Sequence, residues 1–138
     1  MATSTTGTFN TRNGDVPRDE THQLISADKV EGTAVYSSSG ERIGAIEDIM
    51  IDKRSGKVAY AVLSVGGFLG IGERHHPLPW NALTYNLDLG GYQVAIPVER
   101  LKDAPSYAMD EAVDLDDRAY GRKIHDYYGT APYWDPAI

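Results

Sequence analysis

The sequence has no cysteine among its 138 residues, and this absence removes several classes of function. Disulfide bridges, thiolate metal sites and cysteine nucleophiles are all excluded, and the composition is compatible with a reducing compartment. The sequence also lacks an apolar run long enough to span a bilayer, and its N-terminus shows no apolar core of a secretion signal. We therefore expect a cytoplasmic protein with no membrane span.

Clusters of basic residues are also missing. The chain has 13 basic and 20 acidic residues, which gives a net charge of −7. A nucleic-acid-binding protein needs a concentrated basic patch to neutralise phosphates, so we predict no nucleic acid partner. An RNA-associated or ribosome-associated role is accordingly the weakest of the functions considered.

Composition divides the chain into three parts. Residues 1–23 are mostly polar or charged and predict a flexible N-terminal arm. Residues 24–105 carry the alternating apolar segments of one domain. Residues 106–138 contain five of the nine tyrosines and the second tryptophan, and this acidic tail is predicted to be extended or partly helical within 110–126. We expect the tail to pack on its own domain or on a partner.

The segment at residues 57–65 has the highest strand propensity in the chain. Its apolar residues fall on both faces of the expected strand: Val58, Tyr60 and Val62 on one, and Ala59, Ala61, Leu63 and Val65 on the other. Such a strand must be covered on both sides. Because a small barrel has only one interior, the tail or a second copy is expected to cover the outside.

Turn residues predict the other elements. We expect helical turns at 26–32 and 97–103, strands at 33–36 and 42–52, and a hairpin at 84–96. Glu47 breaks the apolar alternation of the second strand, so either the strand bulges at residues 47 and 48 or this position lies at a rim of the barrel. Pro77 and Pro79 each lack a backbone donor. Residues 78–83 are therefore predicted to turn a corner and not to form an interior strand.

Four motifs occur in order: GERIG at 40–44, DKRSGKVAYAVLS at 52–64, GGFLGIG at 66–72 and HPLPW at 76–80. With them the chain resembles the PRC-barrel family, in its small stand-alone bacterial form. Relatives include the cytoplasmic barrel of the photosynthetic reaction centre H subunit and the C-terminal domain of the ribosome maturation factor RimM. The resemblance implies an all-β fold, mainly a small and mostly antiparallel barrel of about six strands with short helical turns. It also implies an interaction module without enzymatic activity.

The glycine-rich stretch at 66–72 lacks the Lys-Ser/Thr ending of a nucleotide loop, so it is predicted to be structural. Its large apolar side chains favour docking on another surface. Interaction residues are predicted in this loop, at the proline corner and in the tail: Gly66, Gly67, Phe68, Leu69, Ile71, Trp80, Tyr127, Tyr128 and Trp134. We expect a homo-oligomer, most simply a two-fold dimer that associates through the apolar barrel face and the glycine loop, and an unidentified protein partner.

His75 and His76, with Glu73, offer the nitrogen and oxygen ligands that a zinc site would use. Adjacent residues on a strand point to opposite faces, so both histidines do not easily serve one closed site. The leading hypothesis is a non-enzymatic assembly module with no catalytic or cofactor site. The alternative is a sensor domain that binds a small ligand or a metal through residues 66–76 and the two histidines.

Overall fold

A computed structural model describes residues 20–21, 23–65, 74–108 and 110–135. Within these ranges the chain forms seven strands and three short α-helices. The strands are β1 (Ala34–Tyr36), β2 (Arg42–Ile51), β3 (Val58–Val65), β4 (Arg74–Pro79), β5 (Leu83–Asn86), β6 (Gly91–Val94) and β7 (Tyr107–Ala108). The helices are α1 (Ala27–Val30), α2 (Val98–Leu101) and α3 (Arg118–Tyr128), and a 3-10 turn (Trp80–Ala82) joins β4 to β5.

The described strands form one sheet in the order β5-β6-β1-β2-β3-β4-β7. Every neighbouring pair is antiparallel except β1 and β6, which run parallel. The predicted all-β, mostly antiparallel fold is therefore confirmed, with seven strands where about six were expected. Because β5 and β7 are the two end strands, the described sheet is open and does not close into a hydrogen-bonded ring.

The main core lies on one face of this sheet and is closed by α1 and α2. Its residues come from every described strand except β5 and β7: Val30, Val35, Ile43, Ile46, Ala61, Leu63, Val65, Leu78, Tyr92, Val94, Ile96, Val98, Leu101 and Ala104. Val30 near the start of the domain and Leu101 and Ala104 near its end belong to the same cluster, so the domain has one continuous core.

The turns agree with the sequence-based expectations. The Ser26 side chain caps α1 by accepting a hydrogen bond from the Lys29 amide at 3.2 Å. Gly56 ends the β2–β3 turn with a φ of 78°, a conformation that glycine adopts without strain. The β2–β3 register shifts between Ile46 and Asp48, which confirms the predicted bulge. Ile46, just before the bulge, lies in the core, whereas Ile51 beyond it is 50% exposed.

The prediction for the proline corner was partly wrong. Residues 74–79 form β4, which pairs with β3 along its whole length, and the corner begins only at Trp80. Prolines fit into β4 because, in the described part of the chain, the edge of β4 away from β3 is mostly unpaired: β7 pairs there with Arg74 and His75 alone. Within the described residues the half of β4 that contains Pro77 and Pro79 is thus an edge, where proline is tolerated.

Candidate functional site

The outer face of β3 is covered by the C-terminal end of the same chain. We call residues 118–135 the strap; it consists of α3 and a returning segment, residues 129–135. Ile124 of α3 is fully buried and packs against Ala59 and Tyr60 of β3. Side chains around this second cluster add to the cover: Leu115, Tyr120, Tyr128 and Tyr133. In this structure the tail therefore packs on its own barrel and supplies the outer cover that β3 requires.

Local signals at both ends set the length of α3. The Asp117 carboxylate accepts a hydrogen bond from the Ala119 amide at 2.9 Å and caps the N-terminus. Gly129 ends the helix with a φ of 71°. The amides of Gly129 and Thr130 bond back to the carbonyls of Asp126 and His125, a Schellman motif that reverses the chain. The returning segment consequently runs back along the helix.

The buried stripe of α3 has the spacing of one helix face: Gly121, Ile124, His125 and Tyr128. Only Ile124 is an aliphatic residue, so the sequence offered no regular apolar period for this helix. Gly121 is required by contact, because a Cβ atom there would lie 2.9 Å from ring carbons of Trp134 and from the Tyr60 hydroxyl. The helix can approach β3 this closely only without a side chain at that position.

Four rings form an aromatic cluster between β3 and the strap: Tyr60, His125, Tyr133 and Trp134. The ring centroids of Tyr60 lie 5.5 Å from those of His125 and Tyr133, and His125 lies 5.7 Å from Trp134. The interplanar angles are tilted or edge-on, which is the favourable arrangement for aromatic pairs. The cluster fastens the returning segment to both the helix and the barrel.

Cations and hydrogen bonds reinforce the strap at its surface. The Arg118 guanidinium lies 4.5 Å from the centroid of the Trp134 ring, and that of Arg100 lies 4.8 Å from the Tyr127 ring. The Tyr127 hydroxyl donates a hydrogen bond to the Arg100 carbonyl. Tyr127 and Trp134, which were predicted as interaction residues, thus make intramolecular contacts here, as does Tyr128.

Burial perturbs the titratable groups under the strap. Burial raises the pKa of both the Tyr60 and Tyr128 hydroxyls, which have no hydrogen-bond partner among the described residues. Burial lowers the pKa of His125, and this effect is opposed by the hydrogen bond to the Gly121 carbonyl and by the charge of Asp126. These three groups are neutral at neutral pH, as groups beneath an apolar cover must be.

The two histidines of β4 lie on opposite faces of the strand. His76 is fully buried among core residues opposite Leu63, whereas His75 faces outward, and its ring packs edge-on against Tyr107 at 5.5 Å. Glu73, the third residue of the metal site considered from the sequence, lies outside the described residues. Among the residues that are described, no group of three or more potential ligands is placed to hold a metal ion.

The predicted glycine loop is the part of the candidate site that the structure does not address. Gly66, Gly67, Phe68, Leu69 and Ile71 all lie outside the described residues. Trp80, predicted at the corner after this loop, is described: it is half-buried, with its ring 5.3 Å from that of Tyr92, and it packs against the main core.

A groove that sequence reasoning missed lies between the N-terminal segment and the β5–β6 hairpin. We call it the leucine groove; its volume is about 120 Å³, and its lining residues are Glu20, Thr21, Gln23, Leu24, Ile25, Tyr85, Leu87 and Tyr92. Leu24 is 72% exposed and Leu87 is 81% exposed. Leu87 occupies the turn of a hairpin, where polar residues are usual, and this was the available sequence signal.

Ionic contacts at one end hold the groove in shape. Glu20 accepts a hydrogen bond from the Tyr85 hydroxyl at 3.2 Å and forms an ion pair with Lys29 at 2.7 Å. An isolated β-bridge between Glu20 and Ile25 turns the N-terminal segment against the hairpin. The polar end and the exposed leucines together make an amphipathic surface.

Comparison with known proteins agrees with this architecture. Residues 22–101 match the PRC-barrel domain. The chain belongs to the PRC-barrel domain family. An uncharacterized protein of Deinococcus radiodurans (strain ATCC 13939) is 26% identical over 111 residues, which is 76% of this chain and 39% of the relative. The chain thus spans about two fifths of the length of that curated relative.

The match to the PRC-barrel domain ends at Leu101, before the strap begins. The leucine groove, in contrast, lies almost wholly within the matched part of the chain. None of the described helices is both long and apolar enough to cross a membrane. The groove therefore lies mostly inside the matched region, and the strap lies outside it.

Proposed function

We propose that this PRC-barrel protein is a non-enzymatic, cytoplasmic interaction module that self-associates through the leucine groove, most simply as a two-fold dimer. The observation that carries the proposal is the high exposure of Leu24 and Leu87 side by side at one groove. Apolar surface that is exposed at a groove and bordered by polar residues is typical of interaction sites. The absence of cysteine supports a reducing compartment.

The groove supports self-association better than the outer face of β3 does. That face is already covered by the strap, with Tyr60 only 1% exposed. The groove has an apolar wall and a volume of about 120 Å³, so it has room for an aliphatic side chain from another copy. A two-fold axis beside it would bring the same leucines and grooves together from both copies, which makes the surface self-complementary.

The expected affinity is modest. Full burial of one leucine contributes about 1.5–3 kcal/mol, so the four leucines of a dimer contribute on the order of 6–12 kcal/mol. Association itself costs roughly 4–15 kcal/mol in lost translational and rotational freedom. At the favourable ends of these ranges the net gain is about 8 kcal/mol, which corresponds to a Kd of about 1 μM, so the dimer should be micromolar or weaker and should not be obligate.

Sedimentation velocity between about 5 and 500 μM tests the proposal. We expect the average mass of the unmodified chain to rise with concentration, and a Leu24→Asp/Leu87→Asp variant to remain monomeric. Ile51→Asp is the matched control, because Ile51 is also exposed but lies outside the groove. Circular dichroism melts verify that each variant is folded. A dimer that survives the double substitution, or an unmodified chain that stays monomeric throughout, contradicts the proposal.

A further inference from the structure

Both ring nitrogens of His125 are engaged in the strap. Nδ1 lies 2.8 Å from the carbonyl oxygen of Gly121, and Nε2 lies 3.2 Å from the backbone nitrogen of Tyr133. A carbonyl oxygen only accepts a hydrogen bond, so Nδ1 must carry the proton. A backbone amide only donates, so Nε2 must be unprotonated. The docked strap therefore selects one neutral tautomer of this histidine.

The hydrogen bond between His125 Nε2 and the Tyr133 amide joins α3 to the returning segment, in addition to the ring contacts. Tyr133 comes eight residues after His125, and its amide reaches back to the helix through the imidazole. His125 is only 1% exposed, so water cannot replace the bond without movement of the strap. The link concerns the strap and not the main core, whose residues form a separate cluster.

The charged and titratable neighbours of His125 come from three parts of the chain. On β3 the neighbour is Tyr60, and on the returning segment it is Tyr133. On α3 they are Asp126, which favours a cation, and two arginines that lie over the adjacent Trp134 ring, Arg118 and Arg122. Asp116, just before the helix, acts on Tyr60 and Tyr133. Within this part of the chain no carboxylate is hydrogen-bonded to His125, so an imidazolium would have no directly bonded counter-ion.

The geometry points to His125 as a proton-sensitive latch. When Nε2 is protonated it becomes a donor that faces another donor, the Tyr133 amide, so the hydrogen bond between them is lost. Residues 130–135 are then released from α3 and from Tyr60 while the barrel stays folded. Docking of residues 130–135 is fully favoured above the ordinary imidazole pKa of about 6.5, because neither state binds the proton there. Burial lowers the pKa of His125 in the docked state, so the released state takes up the proton first and docking weakens as the pH falls below that value. Release would remove the contact of Tyr133 with Tyr60, while Ile124 keeps α3 packed on the outer face of β3. This latch goes beyond the proposed function and does not depend on it.

The two tryptophans of the chain allow the latch and the barrel to be observed separately. A Trp80→Phe variant reports on the strap through Trp134, and a Trp134→Phe variant reports on the barrel through Trp80. Emission and iodide quenching are followed from pH 8 to pH 4. We expect Trp134 to become exposed in a transition that has no counterpart at Trp80. A Trp134 signal that stays flat, or that moves only together with Trp80, overturns the proposal.

Substitution of the histidine identifies the titrating group. In the Trp80→Phe background, His125→Gln should abolish the transition, whereas His75→Gln on the outer face of β4 should leave it unchanged. Nitrogen-15 NMR of the unmodified chain provides a test that needs no variant: the Tyr133 amide and the His125 ring should titrate with one midpoint. Two different midpoints, or a transition that persists without His125, overturn the latch. The readout is local exposure and not mass, so the result is independent of self-association.

Discussion

His76 makes the barrel sensitive to acid, and the sensitivity can be calculated from its surroundings. The side chain is fully buried opposite Leu63, and neither ring nitrogen has a hydrogen-bond partner among the described residues. Burial, together with the positive charges of Arg74 and His75, lowers the pKa of His76 to about 4. In the unfolded chain the same imidazole has a pKa of 6.5. The folded barrel therefore holds His76 in its neutral form.

The difference between these two values sets the size of the effect. Each pH unit of difference is equivalent to about 1.4 kcal/mol, so the interval from 6.5 to about 4 corresponds to about 3 kcal/mol of unfolding free energy. The stabilisation is complete above pH 6.5, because there neither state binds the proton. As the pH falls, the unfolded chain takes up the proton first and stability declines; the loss ends near pH 4. Between pH 7 and pH 5 the expected loss is about 2 kcal/mol.

A His76→Leu variant removes both the titration and the two unpaired polar atoms. At pH 7 it should be as stable as the unmodified chain or more stable by about 1 kcal/mol, since buried unpaired groups are costly. Between pH 7 and pH 5 it should lose about 2 kcal/mol less than the unmodified chain does. Urea unfolding followed by circular dichroism at both pH values measures this difference, with His75→Leu as the outward-facing control. An equal loss in both chains would refute the argument.

Two glycines test the close contacts of the fold. A methyl group at Gly44 of β2 would overlap the carbonyl oxygen of Ser64. Gly44→Ala should therefore lower the unfolding free energy by about 3 kcal/mol, measured by urea unfolding. An unchanged urea midpoint would show that β2 and β3 are farther apart. Gly121→Val should displace the Trp134 ring and cost about 1–3 kcal/mol, measured by thermal melting against Ala119→Val on the exposed side of α3. Equal losses in those two variants would contradict the packing of the strap.

Most of the barrel could be predicted from local chemistry. The apolar faces of residues 57–65 predicted a strand covered on both sides, and β3 is buried along nearly its whole length. The hairpin at 84–96, with Tyr92 and Val94 directed inward, was likewise predictable from its alternation and turn. The prolines of β4 led to a partly wrong prediction. A proline lacks a backbone N–H donor, and this matters only where another strand pairs with the edge of β4 to which that donor would point. That neighbour, β7, is two residues long and distant in sequence.

The strap could not be predicted in detail for a different reason. Its buried stripe contains Gly121 and His125 and one aliphatic residue, Ile124, so the spacing of aliphatic residues alone does not identify the buried face. Their burial is explained only by contacts with Tyr60, Tyr133 and Trp134, which come from other parts of the chain. The sequence indicates that β3 needs an outer cover. Only the structure shows that the tail of the same chain, and not a second copy, supplies this cover.

The two buried histidines predict the order in which acid opens the molecule. Both are neutral when buried, so both oppose protonation, but their surroundings differ. Arg74 and His75 add positive charge near His76 and lower its pKa further, whereas the Gly121 carbonyl and Asp126 oppose the effect of burial at His125. His125 should therefore take up a proton at a higher pH than His76. Acid should release residues 130–135 first and unfold the barrel afterwards, so that Tyr60 loses its contact with Tyr133 on an intact barrel over an intermediate range of pH.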